Sequence, residues 1–139
     1  MTAPQEYQRA TDHFYDYLVD LRDIIGFTTT NPAYTATEAV FRTFRRRVSI
    51  ADAIRFATVL PAGLRALFVA DWDPEEPRLE FTDRATMTRE IQSLRPNHNY
   101  SPDSAISDVA RAVRKHVDQQ ALERVLARMP PEAADFWSV

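Results

Sequence analysis

Apolar positions recur at steps of three and four along most of the chain. The first run is Tyr7, Ala10, Phe14, Tyr17, Leu18, Leu21, Ile24 and Ile25. That spacing puts them on one stripe of a helix. Asp12, Asp16, Asp20, Arg22 and Asp23 lie mostly off the stripe. Thr2 can cap the start, Pro4 suits the first turn, and Gly26 stands where a left-handed cap ends the helix. "FTTTNPAY" then reads as a loop. A second helix is expected from Thr35, where "TATE" has the form of a capping box between Thr35 and Glu38. Its inner stripe is Ala36, Val40, Phe44 and Val48, and it ends in "RRR". Ser49 caps a third helix, expected to bury Ile50, Ala53, Ile54, Ala57 and Leu60. Pro61 ends it by disfavouring helical geometry at the residue before it. A short fourth helix carries Leu64, Leu67, Phe68 and Trp72.

"DPEEPR", residues 73–78, reads as a linker. Four more helices are expected beyond it. One runs from after Thr82 to about Leu94, with Met87, Ile91 and Leu94 inward. The next is capped by Ser101, with Pro102 at its first position. Another is capped by Asp118 and ended by Pro130. The last holds Ala133, Phe136 and Trp137.

The two series are written alike. Val48 and Val117 are 69 residues apart, and so are Pro61 and Pro130. The same shift lays Ala36 on Ala105, Val40 on Val109, Ser49 on Asp118, Leu60 on Met129 and Phe68 on Trp137. The matched positions are caps, core stripes and stops, which specify packing and not chemistry. Two small helical units can bury their leftover apolar faces on each other. The expected fold is therefore all-α: about eight helices in two pseudo-symmetric four-helix halves from an internal duplication. The expected organisation is a single helical domain over 1–139, with half one at about 3–72, a linker at 73–78 and half two at about 79–139.

Composition fits this picture. Gly occurs only twice in 139 residues, too rarely for many hairpins or a glycine-rich phosphate loop. Cysteine is absent, which excludes disulfides, thiolate metal sites and cysteine nucleophiles. No apolar run approaches the ~20 residues of a membrane span, and the N-terminal stretch has no hydrophobic signal region, so the expected location is the cytoplasm. The net charge of −3 is shared by both halves, whereas a general nucleic-acid binder is usually basic.

The succession of capped helix, "RRRVS", amphipathic helix, "LP" and "LRALFVADW" resembles a bacterial family known as domain of unknown function 2267. The resemblance covers roughly residues 12–139. Arg47, Val48, Leu60, Pro61, Leu64, Leu67 and Trp72 carry it best. The second half departs from the pattern, with Met129 in place of Leu and the chain stopping at Val139 soon after Trp137. The resemblance implies an all-helical bacterial protein and brings no activity with it.

Candidate chemistry is sparse. His13, His98 and His116 have no metal-ligand spacing, so no metal or other cofactor is expected. The acids Asp71, Asp73, Glu75, Glu76 and Glu80 lie in and beside the Pro-punctuated linker and read as solvated. No nucleophile elbow or dinucleotide fingerprint occurs. No catalytic residue is assigned, and no enzyme is expected. The sharpest charge feature is the basic end of the second helix, Arg42, Arg45, Arg46 and Arg47. Its echo is Arg111, Arg114, Lys115 and His116. Cations there suit the helix dipole and a solvated face, or they dock an anionic partner. Phe41 lies off its helix's apolar stripe and joins Arg42, Arg45, Arg46, Arg111, Arg114 and Lys115 as a partner-binding candidate. The leading expectation is a non-catalytic helical protein-interaction or adaptor module, with a protein partner or self-association. The alternatives are a small-ligand-binding or catalytic bundle with a site between the halves, and nucleic-acid binding through the paired basic ends. Net acidity argues against the last.

Overall fold

The computed structural model of the chain describes residues 2–139. Those residues form nine helices and no strand: α1 (Gln5–Gln8), α2 (Ala10–Ile25), α3 (Asn31–Arg45), α4 (Ile50–Thr58), α5 (Ala62–Val69), α6 (Arg84–Ser93), α7 (Ala105–Arg114), α8 (Gln119–Ala127) and α9 (Pro131–Phe136). Several stops and starts follow from single residues. Ser49 caps α4 by accepting from the Asp52 N–H (3.1 Å). Asp118 caps α8 by accepting from the N–H groups of Gln120 and Ala121. Gly26 ends α2 at φ 93°, a left-handed conformation that glycine adopts without a Cβ clash.

Three starts differ from the expected ones. The first helix is interrupted at Arg9 (φ −108°, ψ 15°), which separates the single turn α1 from α2. No side chain of α1 is buried, so no packing holds that turn in line with α2. α3 opens at Asn31, with Pro32 in the first turn, where the missing N–H is harmless. The supposed capping box lies inside the helix. Thr35 and Glu38 are buried there, and Glu38 Oε2 accepts from Arg42 Nη2 (3.3 Å) instead of reaching back. α7 begins at Ala105 and not beside Ser101. Asn99 Oδ1 accepts from both the N–H and the hydroxyl of Ser101, an Asx-type turn that occupies the expected cap.

The 69-residue spacing recurs in the helix bounds. α4 and α8 start at 50 and 119 and end at 58 and 127, and α5 and α9 start at 62 and 131. α3 and α7 end at Arg45 and Arg114. Gly26 and Arg95, also 69 apart, both take positive φ after α2 and α6. Leu60 and Met129 are both buried.

α3 is the central helix. Buried side chains surround it, and it packs against α2, α5, α6 and α7. A helix enclosed in this way cannot present a single apolar stripe. α2 bridges the two series by packing on α3, α5 and α7. Aromatic rings from both series meet around Phe44, which lies 4.9 Å from Phe56, 5.3 Å from Phe136 and 5.4 Å from Trp137, measured between ring centroids. Phe56 stacks on Trp137 at 5.0 Å. These rings belong to one continuous cluster of buried residues drawn from α2 through α9.

α4 turns differently from its expected orientation. Ile50 and Ile54 are 46% and 58% exposed, while Ala53, Phe56, Ala57 and Leu60 face inward. The segment carries apolar residues at 50, 51, 53, 54, 56, 57, 59 and 60, more than one face can hold. The large ring of Phe56 takes the interior, because it removes the most apolar surface from water.

Gly63 has a packing role in α5. A Cβ there would stand 2.8 Å from Phe14 Cδ1 and 2.9 Å from Phe14 Cβ. The absent side chain lets α5 approach α2 closely. Gly63→Ala should therefore lower the melting temperature, although alanine is intrinsically better in a helix by about 1 kcal/mol. A raised melting temperature would show that Phe14 moves aside freely.

Candidate functional site

The basic end of α3 is largely turned inward. Residues 42, 45, 46 and 47 fan around the helix by about 100° per residue, so they reach different neighbours. Arg45 is buried. Its Nη1 donates to the carbonyls of Phe68 (2.8 Å) and Ala70 (2.9 Å), and its guanidinium lies 5.4 Å from the centroid of the Trp72 ring. It thus satisfies carbonyls left open at the end of α5. Burial first, then the neighbouring charge of Arg42, holds its pKa below the ordinary arginine value. Arg114, 69 residues later, does the same for α9: its Nε donates to the carbonyl of Trp137 (3.0 Å), 69 residues after Phe68. Arg114 Nη1 also binds Glu123 (2.6 Å).

Arg47 is buried as well. It donates to the carbonyls of Thr43 and Glu80 and grips Glu90 with two bonds of 2.8 and 3.2 Å. Leu79 N–H donates to the carbonyl of Arg46 (2.9 Å). The segment after α5 is therefore strapped across the end of α3. Burial pushes the Glu90 pKa up, but hydrogen bonds and charge from Arg47, then the charge of Arg46, outweigh it and hold the carboxyl below its ordinary value. The linkage has a definite sign. The pair stabilises the fold above the ordinary glutamate pKa of 4.5 and loses that effect as pH falls through the lower folded value. Glu90→Gln should be less stable than the parent at neutral pH and should lose less on acidification. Urea midpoints measured at descending pH check this, and parallel curves would refute it.

Arg42 and Arg46 keep partial exposure and line a cleft of about 260 Å³ between α3, α6 and the segment after α5. Asp71, Glu76 and Glu90 line it too. Asp71 lies 3.6 Å from Arg42, and Glu76 and Glu90 lie 3.8 and 3.7 Å from Arg46. Cations and anions alternate there, so the cleft presents no net cationic cradle. Arg111 is exposed beside Asp108 (3.8 Å), and Lys115 is exposed. His116 bonds Asp20 (Nε2–Oδ2 2.6 Å) and meets the edge of Tyr17, tying the end of α7 to α2.

Phe41 is not a surface residue. It is fully buried, packed 5.3 Å from Phe68 and 6.2 Å from Trp137. Its off-stripe position reflects the burial of α3 on every side, not a partner surface. Arg45 leaves the set of accessible candidates for the same reason. Of the seven candidates, the structure brings Arg42, Arg45 and Arg46 to one cleft, keeps Arg111 and Lys115 exposed elsewhere and engages Arg114 internally.

A different surface stands out. α4 and α8, the pair related by the 69-residue shift, pack side by side and leave a solvent-open groove of about 410 Å³. Val59, Ala121 and Val125 make its apolar floor, with Thr58 at one wall. Arg55, Arg124 and Arg128 rim it, and Arg55 and Arg124 occupy equivalent places in the two series. Arg55 pairs with Asp52 (3.1 Å). Arg124 and Arg128 make no ion pair among the described residues. Ile54, one turn before Thr58 on α4, is exposed but does not line the groove. Sequence reading missed this groove, yet it left a signal: too many apolar residues in 50–60 for one buried stripe.

Fold and site define a class: an all-helical protein built from two like-spaced series of helices, with an apolar, arginine-rimmed groove between two of them. The family described as Uncharacterized conserved protein (DUF2267) matches residues 14–136, and the chain belongs to that family. No curated protein matches the chain. Among the described residues, no helix is long and apolar enough to cross a membrane.

Proposed function

We propose that the chain is a non-catalytic protein-interaction module of the bacterial cytoplasm, and that it docks a helix of another protein in the groove between α4 and α8. The groove itself carries this reading. It exposes apolar surface from Val59, Ala121 and Val125 at a helix–helix seam, and the all-helical fold offers an extended peptide no sheet edge to join. The charged cleft at the end of α3 supports a small ligand less well, because its arginines already face carboxylates within 4 Å. The basic helix ends support nucleic-acid binding less well, because Arg45, Arg47 and Arg114 are committed to carbonyls and carboxylates of this chain. A photo-reactive residue placed at Thr58, which is exposed, tests the reading in the native cell. It should cross-link a discrete protein, whereas the same residue at Asn97, outside the groove, should not. Equal labelling from both positions would sink it.

A further inference from the structure

Resting on that docking reading, we infer that the occupant of the α4–α8 groove is an acidic amphipathic helix, apolar along one stripe and carboxylate-bearing along both flanks. Three guanidiniums stand around an apolar floor, and two of them, Arg124 and Arg128, have no intramolecular ion pair among the described residues. The whole chain carries −3, so this cationic rim is a local reversal of sign. Such a rim steers an anionic partner and rejects a cationic one. The floor adds a second requirement. Val59, Ala121 and Val125 offer nothing to a phosphate or a sugar, and they gain from contact with apolar side chains. One ligand must therefore supply apolar anchors flanked by acids. An amphipathic helix does so with anchors one turn apart and carboxylates on the shoulders. α4 and α8 have nine residues each, about 13 Å at 1.5 Å per residue, which matches two to three turns of a partner helix.

A second copy of the chain is a poorer fit. Two-fold pairing of this face on itself would bring both sets of arginines together. Pairing it with the acidic face of α2, which carries Asp12, Asp16 and Asp23, would be head-to-tail, giving a ring or a filament in place of a two-fold dimer. A duplex would meet net negative charge outside the rim.

The test uses the full chain and fluorescein-labelled peptides of about sixteen residues, long enough to form a helix. All share Leu and Phe at positions i, i+3, i+4 and i+7. Their flanks are Glu, Gln or Lys. At physiological salt the Glu peptide should bind about tenfold more tightly than the Lys peptide. The double variant Arg124→Glu with Arg128→Glu should reverse that order while still unfolding in one cooperative step at a slightly lower temperature, since neither side chain makes an ion pair among the described residues and both lie at the C-terminal end of α8. Equal binding of the three peptides, preference for Lys, or indifference to the charge reversal would overturn the acidic assignment. If the Gln peptide binds as well as the Glu peptide and is lost with Ala121→Lys, the docking reading stands and the charge class falls. If none binds, the inference falls, and the Thr58 cross-links decide the docking reading separately. A short DNA duplex bound more tightly than the Glu peptide would overturn the inference in favour of nucleic acid. A dimer dispersed by the double variant would overturn it in favour of self-association.

Discussion

Arg45→Glu is expected to destabilise the fold by about 3–5 kcal/mol, the range for leaving a buried charge without its partners. The guanidinium now bonds the carbonyls of Phe68 and Ala70 from a buried position. A carboxylate there would face two carbonyl oxygens with no donor. Arg45→Leu keeps apolar bulk but leaves both carbonyls unmet, and about 1–3 kcal/mol is expected. Arg46→Glu, one residue on, should cost under about 1 kcal/mol, because its ion pairs are long and partly exposed. Urea unfolding of the three variants checks the ranking. A neutral Arg45→Glu would mean that this side chain leaves its site readily, and the carbonyl-capping role would be withdrawn.

That contrast between neighbours marks the limit of reading charge from sequence. "RRR" at a helix end announces cations near a negative dipole end. It does not say which of them face water, because that depends on where α5 and the following segment return. Arg47 meets Glu80 and Glu90 more than thirty residues away, and Arg45 meets Phe68 twenty-three away. Nothing local encodes these meetings. The repeat did hold a clue. Arg45 and Arg114 share a shift of 69 with Phe68 and Trp137, so a bond in one series has its counterpart in the other.

The helices were legible where one face meets water. α2 shows its stripe because Asp12, Asp16 and Asp23 point outward, and Tyr17, Leu18 and Leu21 are buried as the spacing required. Caps made by one side chain, such as Ser49, were legible for the same local reason. α3 was harder. Enclosed by four helices, it buries Phe41 as fully as Val40, and its boundary at Asn31–Pro32 looks like a loop signal. α4 was misread by rotation. With eight apolar residues in the eleven from 50 to 60, periodicity allows more than one inward face, and the position of the aromatic cluster decides between them. The groove beside α8 follows from that choice, which is why no motif announced it.

Phe44→Ala should cost about 3–5 kcal/mol, the usual range for truncating a buried ring, and it should do so across the whole chain. Phe44 is fully buried, and its ring meets Phe56 from α4, Phe136 from α9 and Trp137 beyond it. The cavity left by truncation would be lined by rings of both helical series. A single shared core should therefore fail as one unit. Trp72 lies in the first series and Trp137 in the second, so their fluorescence can be followed separately by replacing one with Phe. Both probes should report the same lowered urea midpoint. Midpoints that separate, with Trp137 released before Trp72, would mean that the series fold as independent units that merely touch at Phe44. In that case the coupling of Phe44 to Phe136, measured by a double-mutant cycle, should vanish. With one shared core, it should amount to about 0.5–1.5 kcal/mol, as for other buried aromatic pairs.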